Sequence, residues 1–223
     1  MNALLANARW EARRLLRSQR VFLLLIPPVA GPVGSALALL YFHVSSHPIA
    51  LMLGLFVLGG LGALVTVDLC ALTLGEELAV RAHLALFPLP QHRHEILLGR
   101  VAVVLLGSLG AFALGAALTW GTVDLLVPVS AVPGPTLLDP FHLFLGISCL
   151  LLFLGGVTLL SSVLVRTASG ALVAGVLAGV VVASAGLYLA LLHELTLAFP
   201  LVLLAVWGVS LAWAVHTYST LES

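Results

Sequence analysis

Six predominantly apolar stretches alternate with short polar segments along the chain: about Val21 to Phe42, Ile49 to Leu74, Ile96 to Val123, Phe141 to Val165, Ser169 to Leu192 and Leu197 to Thr217. Each is long enough for a helix crossing a bilayer core of about 30 Å, which takes roughly 20 residues. The pattern predicts an all-α polytopic membrane protein of six transmembrane helices. Ahead of the first span the periodicity changes. On a helix at about 100° per residue, Leu4, Leu5, Ala8, Ala12, Leu15 and Leu16 share an arc of about 120°. Arg9, Arg13, Arg14, Arg17 and Arg20 point the other way, and Trp10 fits neither face well. Residues 1–20 therefore read as an amphipathic interface helix lying among lipid headgroups, and residues 21–217 as the spans of a single transmembrane domain covering 1–223.

Composition agrees with this reading and narrows the function. Of 223 residues, 61% are hydrophobic and 8% charged, and the mean hydropathy is +1.21. A soluble globule of that make-up has too little polar surface to cover itself. Nine arginines balance nine carboxylates and there is no lysine, so no basic surface offers itself to nucleic acid. A phosphate-binding loop needs its lysine, so this chain is not expected to hydrolyse ATP by itself. Cys70 and Cys149 lie within apolar runs, where they suggest neither a disulfide framework nor a metal site.

Arginine also orients the chain. Arg9 to Arg20 precede span one, Arg81, Arg93 and Arg100 lie around the link between spans two and three, and Arg166 lies between spans four and five. Positive residues are retained on the cytoplasmic side, so both termini are expected there, in the cell (plasma) membrane. A long arginine-rich start followed by a full-length span is not a cleaved signal, and the first span is expected to be retained. The loops are too short to hold a folded soluble domain, so any catalytic domain belongs to another chain.

The segment from Gly75 to Arg100 carries the most information. Glu76 and Glu77 open a short predicted helix, which suits the helix dipole, and Pro88 and Pro90 end it. Leu84, Leu86, Phe87 and Leu89 then form an apolar knob on a cytoplasmic loop, the mark of a partner surface or of packing beneath the spans. Six spans, a basic amphipathic start and an acid-led loop helix followed by Leu-x-Leu-Phe-Pro-Leu-Pro and Gly99-Arg100 resemble the permease subunits of type-2 ABC transporters. The resemblance covers the whole chain in layout and residues 76 to 100 in motif. It implies a coupling helix that docks on an ABC-type ATPase subunit, with Glu76 or Glu77 at the acidic position, Leu84, Leu86 and Pro88 at the apolar ones and Arg93 at the basic one. Phe87 and Arg81 fall in the same segment, and Val80-Arg81 stands where family members often have Gly-Thr. It also implies a homodimer, no cofactor held by this chain, and ATP-Mg bound through the partner. The haem exporter B subunit of cytochrome c maturation has a similar length and equally short loops.

Other readings compete. Glu76-Glu77-Leu-Ala-Val-Arg81 spells the first motif of intramembrane CAAX-type proteases, but no Phe-x-x-x-His follows, and Glu77 with Arg81 is an ordinary i,i+4 ion pair. A non-transporting scaffold that only anchors a partner is the other alternative. His92-x-His94-Glu95 lacks the further ligands of a metal site. Asp68, the one carboxylate within a span, is an intramembrane candidate by cost alone, satisfied structurally if it meets Arg100 or the backbone. Ala171, Gly175, Gly179 and Ala183 recur every fourth residue on span five, a flat stripe for internal packing or for the dimer interface. Pro27, Pro28 and Pro32 are expected to kink or split span one. No span carries a series of charges, so an amphipathic or apolar substrate fits better than an ion; the resemblance to type-2 permeases implies that it is moved outward along the dimer seam.

Overall fold

A computed structural model describes residues 3–41, 47–79, 93–126, 140–191 and 198–220. Every one of these residues is helical except Ser18, Arg166, Thr167 and Thr220. The helices are α1 (Ala3–Arg17), α2 (Ile26–Tyr41), α3 (His47–Ala79), α4 (Arg93–Leu126), α5 (Pro140–Val165), α6 (Ala168–Leu191) and α7 (Ala198–Ser219), with a 3-10 segment, Gln19–Leu25, between α1 and α2. Six of these stretches are long and apolar enough to cross a membrane: Gln19–Tyr41, Ile49–Gly75, Glu95–Leu126, Phe141–Val165, Ala168–Gly186 and Phe199–Ser219. An all-helical, multi-pass architecture is thus present, with boundaries within a few residues of those read from hydropathy.

Span one is split rather than bent. Its first seven residues, Gln19–Leu25, are a 3-10 helix, an unusually long run for that geometry. The α-helix begins at Ile26, so Pro27 and Pro28 sit in its first turn, where a missing N–H costs nothing. Pro32 alone lies in the interior.

The centre of the bundle is α3 and α5. Half of the α3 span and 56% of the α5 span are buried, against 11% for α6. α3 packs on α2, α4, α5 and α6, while α7 packs on α5 and α1 on α4. Helices surrounded by lipid gain little from hiding apolar surface, so close approach at small residues has to hold them. The tightest seam joins α2, α3 and α4. A Cβ on Gly54 would collide with Ser35 and would stand 2.6 Å from Thr119 Cγ2 and 3.1 Å from the Gly31 carbonyl. One on Gly115 would stand 2.6 Å from Leu58 and 2.9 Å from the Pro27 carbonyl. Hydroxyls in the buried helices turn back on their own backbone, as Thr119 Oγ1 does on the Gly115 carbonyl at 2.7 Å and Thr66 Oγ1 on that of Gly62 at 2.8 Å. That satisfies donors for which hydrocarbon has no partner.

α5 and α6 are joined by only Arg166 and Thr167. Arg166 adopts a left-handed conformation, φ 58°, and its N–H donates to the Ser162 carbonyl at 3.0 Å. Thr167 caps α6, its Oγ1 accepting from the Gly170 N–H at 3.3 Å. Such a short link makes α5 and α6 antiparallel neighbours.

Candidate functional site

Two parts of the molecule stand out from plain helix packing, one at each end of the bundle. The first lies where α1 crosses the start of α4. Glu11 and Arg100 are both buried, with side chains only 5% and 3% exposed, and Arg100 Nε stands 3.7 Å from Glu11 Oε2. Arg14 Nη1 approaches the same oxygen at 3.6 Å. Among the described residues Oε2 accepts no hydrogen bond, and the two positive charges stand beside the carboxylate at ion-pair distance. The Trp10 ring completes the cluster, with the Arg14 guanidinium 5.6 Å and that of Arg100 5.9 Å from its centroid. Two cations near one aromatic ring and beside one buried carboxylate tie α1 to α4.

This arrangement changes the reading of α1. Leu15 packs into the core, alongside Leu74, Leu97 and Val163. Leu5 and Leu16 are exposed, so the expected apolar arc divides between the bundle and the surroundings. Glu11, a carboxylate among the arginines, faces inward beside Leu15. Arg9, Arg13, Arg14 and Arg17 are exposed, as their periodicity predicts.

At the same end α3 meets α6. A Cβ on Gly75 would stand 2.6 Å from Ala168 Cα and 2.7 Å from its nitrogen, which is backbone-to-backbone approach. Glu76 and Glu77 follow at once in the last turns of α3, and Arg93 is the first residue of α4. Arg81, Leu84, Leu86, Phe87 and Pro88, the core of the expected coupling helix, lie outside the described residues, as does His92. What the described residues give is the two flanks of that segment: α3's end against the start of α6, and α4's start against α1.

Asp68 is half-buried on α3 and takes part in a polar interaction. Ala171 and Gly175 of the α6 stripe pack inside the chain. Ala171 is fully buried, and a Cβ on Gly175 would run into Thr158 of α5 and stand 2.7 Å from Val67 of α3. Gly179 and Ala183 continue the stripe into more open space. Among the described residues no three His, Cys, Asp or Glu side chains are grouped to hold a metal.

The second part is a cleft of about 390 Å³ between α3, α5, α6 and the start of α7, in the half of the bundle away from the arginines. Phe56, Gly60 and Leu64 of α3, Gly146 and Leu150 of α5, and Gly179 and Ala183 of α6 are among its walls. Glycine creates the space: a methyl group on Gly60 or on Gly146 would meet nothing within 4 Å. Among the described residues, His142, near the start of α5, is the one lining side chain that carries nitrogen or oxygen. On the far side of α3 the same end is fastened by His47, whose Nε2–H donates to Asp124 Oδ1 at 2.6 Å and so links the start of α3 to the end of α4.

No protein-family model, curated protein or solved structure matches the chain. Function has to be argued from these two ends. The buried role of Glu11 and the cleft glycines of α3 and α5 escaped the sequence reading, which marked Trp10 only as a misfit. Glutamate among arginines on a basic helix reads as a solvated ion pair, and glycines such as Gly60 and Gly146 show no four-residue repeat.

Proposed function

We propose that this chain is the membrane-spanning permease subunit of an ATP-driven ABC exporter, working as a dimer and powered by a separate ATPase chain. Both termini and the arginine-rich end face the cytoplasm, and α1 lies at the membrane surface with Arg9, Arg13, Arg14 and Arg17 toward headgroups. The observation that carries this reading is the anchoring of both flanks of residues 80–92. The chain enters that segment from α3, whose Gly75 touches α6, and leaves it into α4, whose Arg100 is locked to α1. A partner that pushes on Leu84, Leu86 and Phe87 therefore moves a surface helix and a span together, which a passive anchor does not require. A lysine-free chain has no phosphate loop of its own, so ATP-Mg belongs to the partner.

Affinity capture of the detergent-solubilised chain from its native membrane, wild type beside the Leu84→Asp/Leu86→Asp variant, tests this. Mass spectrometry is expected to find an ABC-type ATPase with the wild type and to lose it with the variant. Absence of any ATPase from both would remove the transport reading.

A further inference from the structure

We infer that the cleft between α3, α5 and α6 binds one acyl chain of an outer-leaflet phospholipid, and that the cargo of the permease is an amphiphile of this class; the second part rests on the transport reading above. Depth is the first argument. From His142 to Leu154 on α5 the cleft follows the helix for about 18 Å, at roughly 1.5 Å per residue. That is close to one leaflet of a hydrocarbon core about 30 Å thick. Its volume of about 390 Å³ lies in the range of about 300–1,000 Å³ typical of ligand pockets.

Chemistry is the second argument. Below His142 every described lining side chain is hydrocarbon or glycine, so a polar or charged cargo would lose its hydrogen bonds there and an alkyl chain would lose none. The polar group lies at the outer mouth instead. The His142 imidazole is in the first turn of α5, and Phe199 and Pro200, in the first turn of α7, line the same cleft. An imidazole at that mouth suits the ester and phosphate oxygens of a glycerolipid head. Access is the third. Phe56, Leu64 and Val180 are exposed along the rim, so the cleft opens sideways between α3 and α6, where a chain can enter from the bilayer without crossing water.

The test uses the full-length protein in nanodiscs of phosphatidylethanolamine and phosphatidylglycerol, doped with phosphatidylethanolamine carrying a diazirine midway along one acyl chain. After illumination, labelled peptides are read by mass spectrometry. Labelling is expected to concentrate on 56–67 of α3 and 142–154 of α5. In Gly60→Leu and Gly146→Leu, which put a side chain into open space, that labelling is expected to fall about tenfold or more, the change that about 1.4 kcal/mol produces. Gly110→Leu, also at a position with nothing within 4 Å but away from the cleft, is expected to label like wild type. Its elution and melting also control for misfolding. Labelling spread evenly over the exposed faces of α2, α4 and α6, or unchanged by both filling variants, would overturn the site. In a parallel experiment with a bifunctional crosslinker, links from one copy of the chain to another across α6 would assign the cleft to the dimer seam and overturn it too. Focused labelling with no ATPase in the capture experiment would leave the lipid site standing and remove the transport reading.

Discussion

The two ends of this bundle are built on opposite principles. At the arginine-rich end, charge is taken inside: Glu11 and Arg100 are buried against each other, and Trp10 is flanked by two guanidiniums. In the other half the cleft is lined by hydrocarbon and glycine around open space, and the polar fastening there, His47 with Asp124, is left partly in water at 22% and 49% exposure. A buried ion pair is a poor source of net stability but a strict one geometrically, because either partner alone is very costly to bury. An apolar cleft walled by glycine is lenient, since its walls can approach or part for little. The contrast teaches where this molecule is held in register and where it can yield. The held end is the one next to residues 80–92, and the yielding part faces the opposite side of the membrane.

Breaking the buried charge should have the largest effect. Glu11→Leu removes the buried carboxylate from beside Arg100 and Arg14 and is expected to cost roughly 3–5 kcal/mol. This would appear as a sharp fall in the melting temperature of the detergent-solubilised protein. The double variant Glu11→Leu/Arg100→Leu should recover most of it, as removal of both charges removes the desolvation penalty. A double variant as unstable as the single would show that the pair does not register α1 on α4.

Packing offers the next comparison. Gly54→Ala forces a methyl group into Ser35, Thr119 and the Gly31 carbonyl and is expected to destabilise by about 1–3 kcal/mol. Gly60→Ala, only six positions along the same helix but facing the cleft, should change stability by less than about 0.5 kcal/mol. Thermal aggregation curves of the two variants side by side separate seam from cleft, and equal losses would contradict the assignment. The smallest effect is expected at the outer fastening. His47→Ala removes a partly solvated pair and should cost no more than about 1 kcal/mol, a loss that salt in the wild type should partly reproduce.

Much of the architecture was legible because hydrocarbon thickness imposes a length on every span, and that length is written directly in apolar runs. The proline cluster announced a break in span one, although its form, a 3-10 segment ahead of Pro27 rather than a kink at it, depends on how α1 docks. Seams were only partly legible. Ala171 and Gly175 showed their four-residue repeat, and Gly115 with Thr119 carries a similar one that went unused. Gly54, by contrast, finds its tightest neighbours on α2 and α4, so nothing near it in sequence marks it. The candidate sites were least legible. Glu11 lies among arginines, where sequence cannot distinguish a solvated carboxylate from a buried one. A cleft is defined by what is missing from three helices at once. The knob from Leu84 to Leu89 was the clearest motif of the chain, and its structural test lies outside the described residues.

The central claim is that a partner acts at the arginine-rich end while an acyl amphiphile occupies the other. ATP hydrolysis by the captured assembly in nanodiscs, titrated with palmitoyl and with octanoyl lysophospholipid, addresses both halves at once. The account predicts hydrolysis that rises with the palmitoyl compound, changes little with the octanoyl one, and is absent from preparations of Leu84→Asp/Leu86→Asp. Hydrolysis that ignores chain length, or that co-purifies equally with the loop variant, would contradict it.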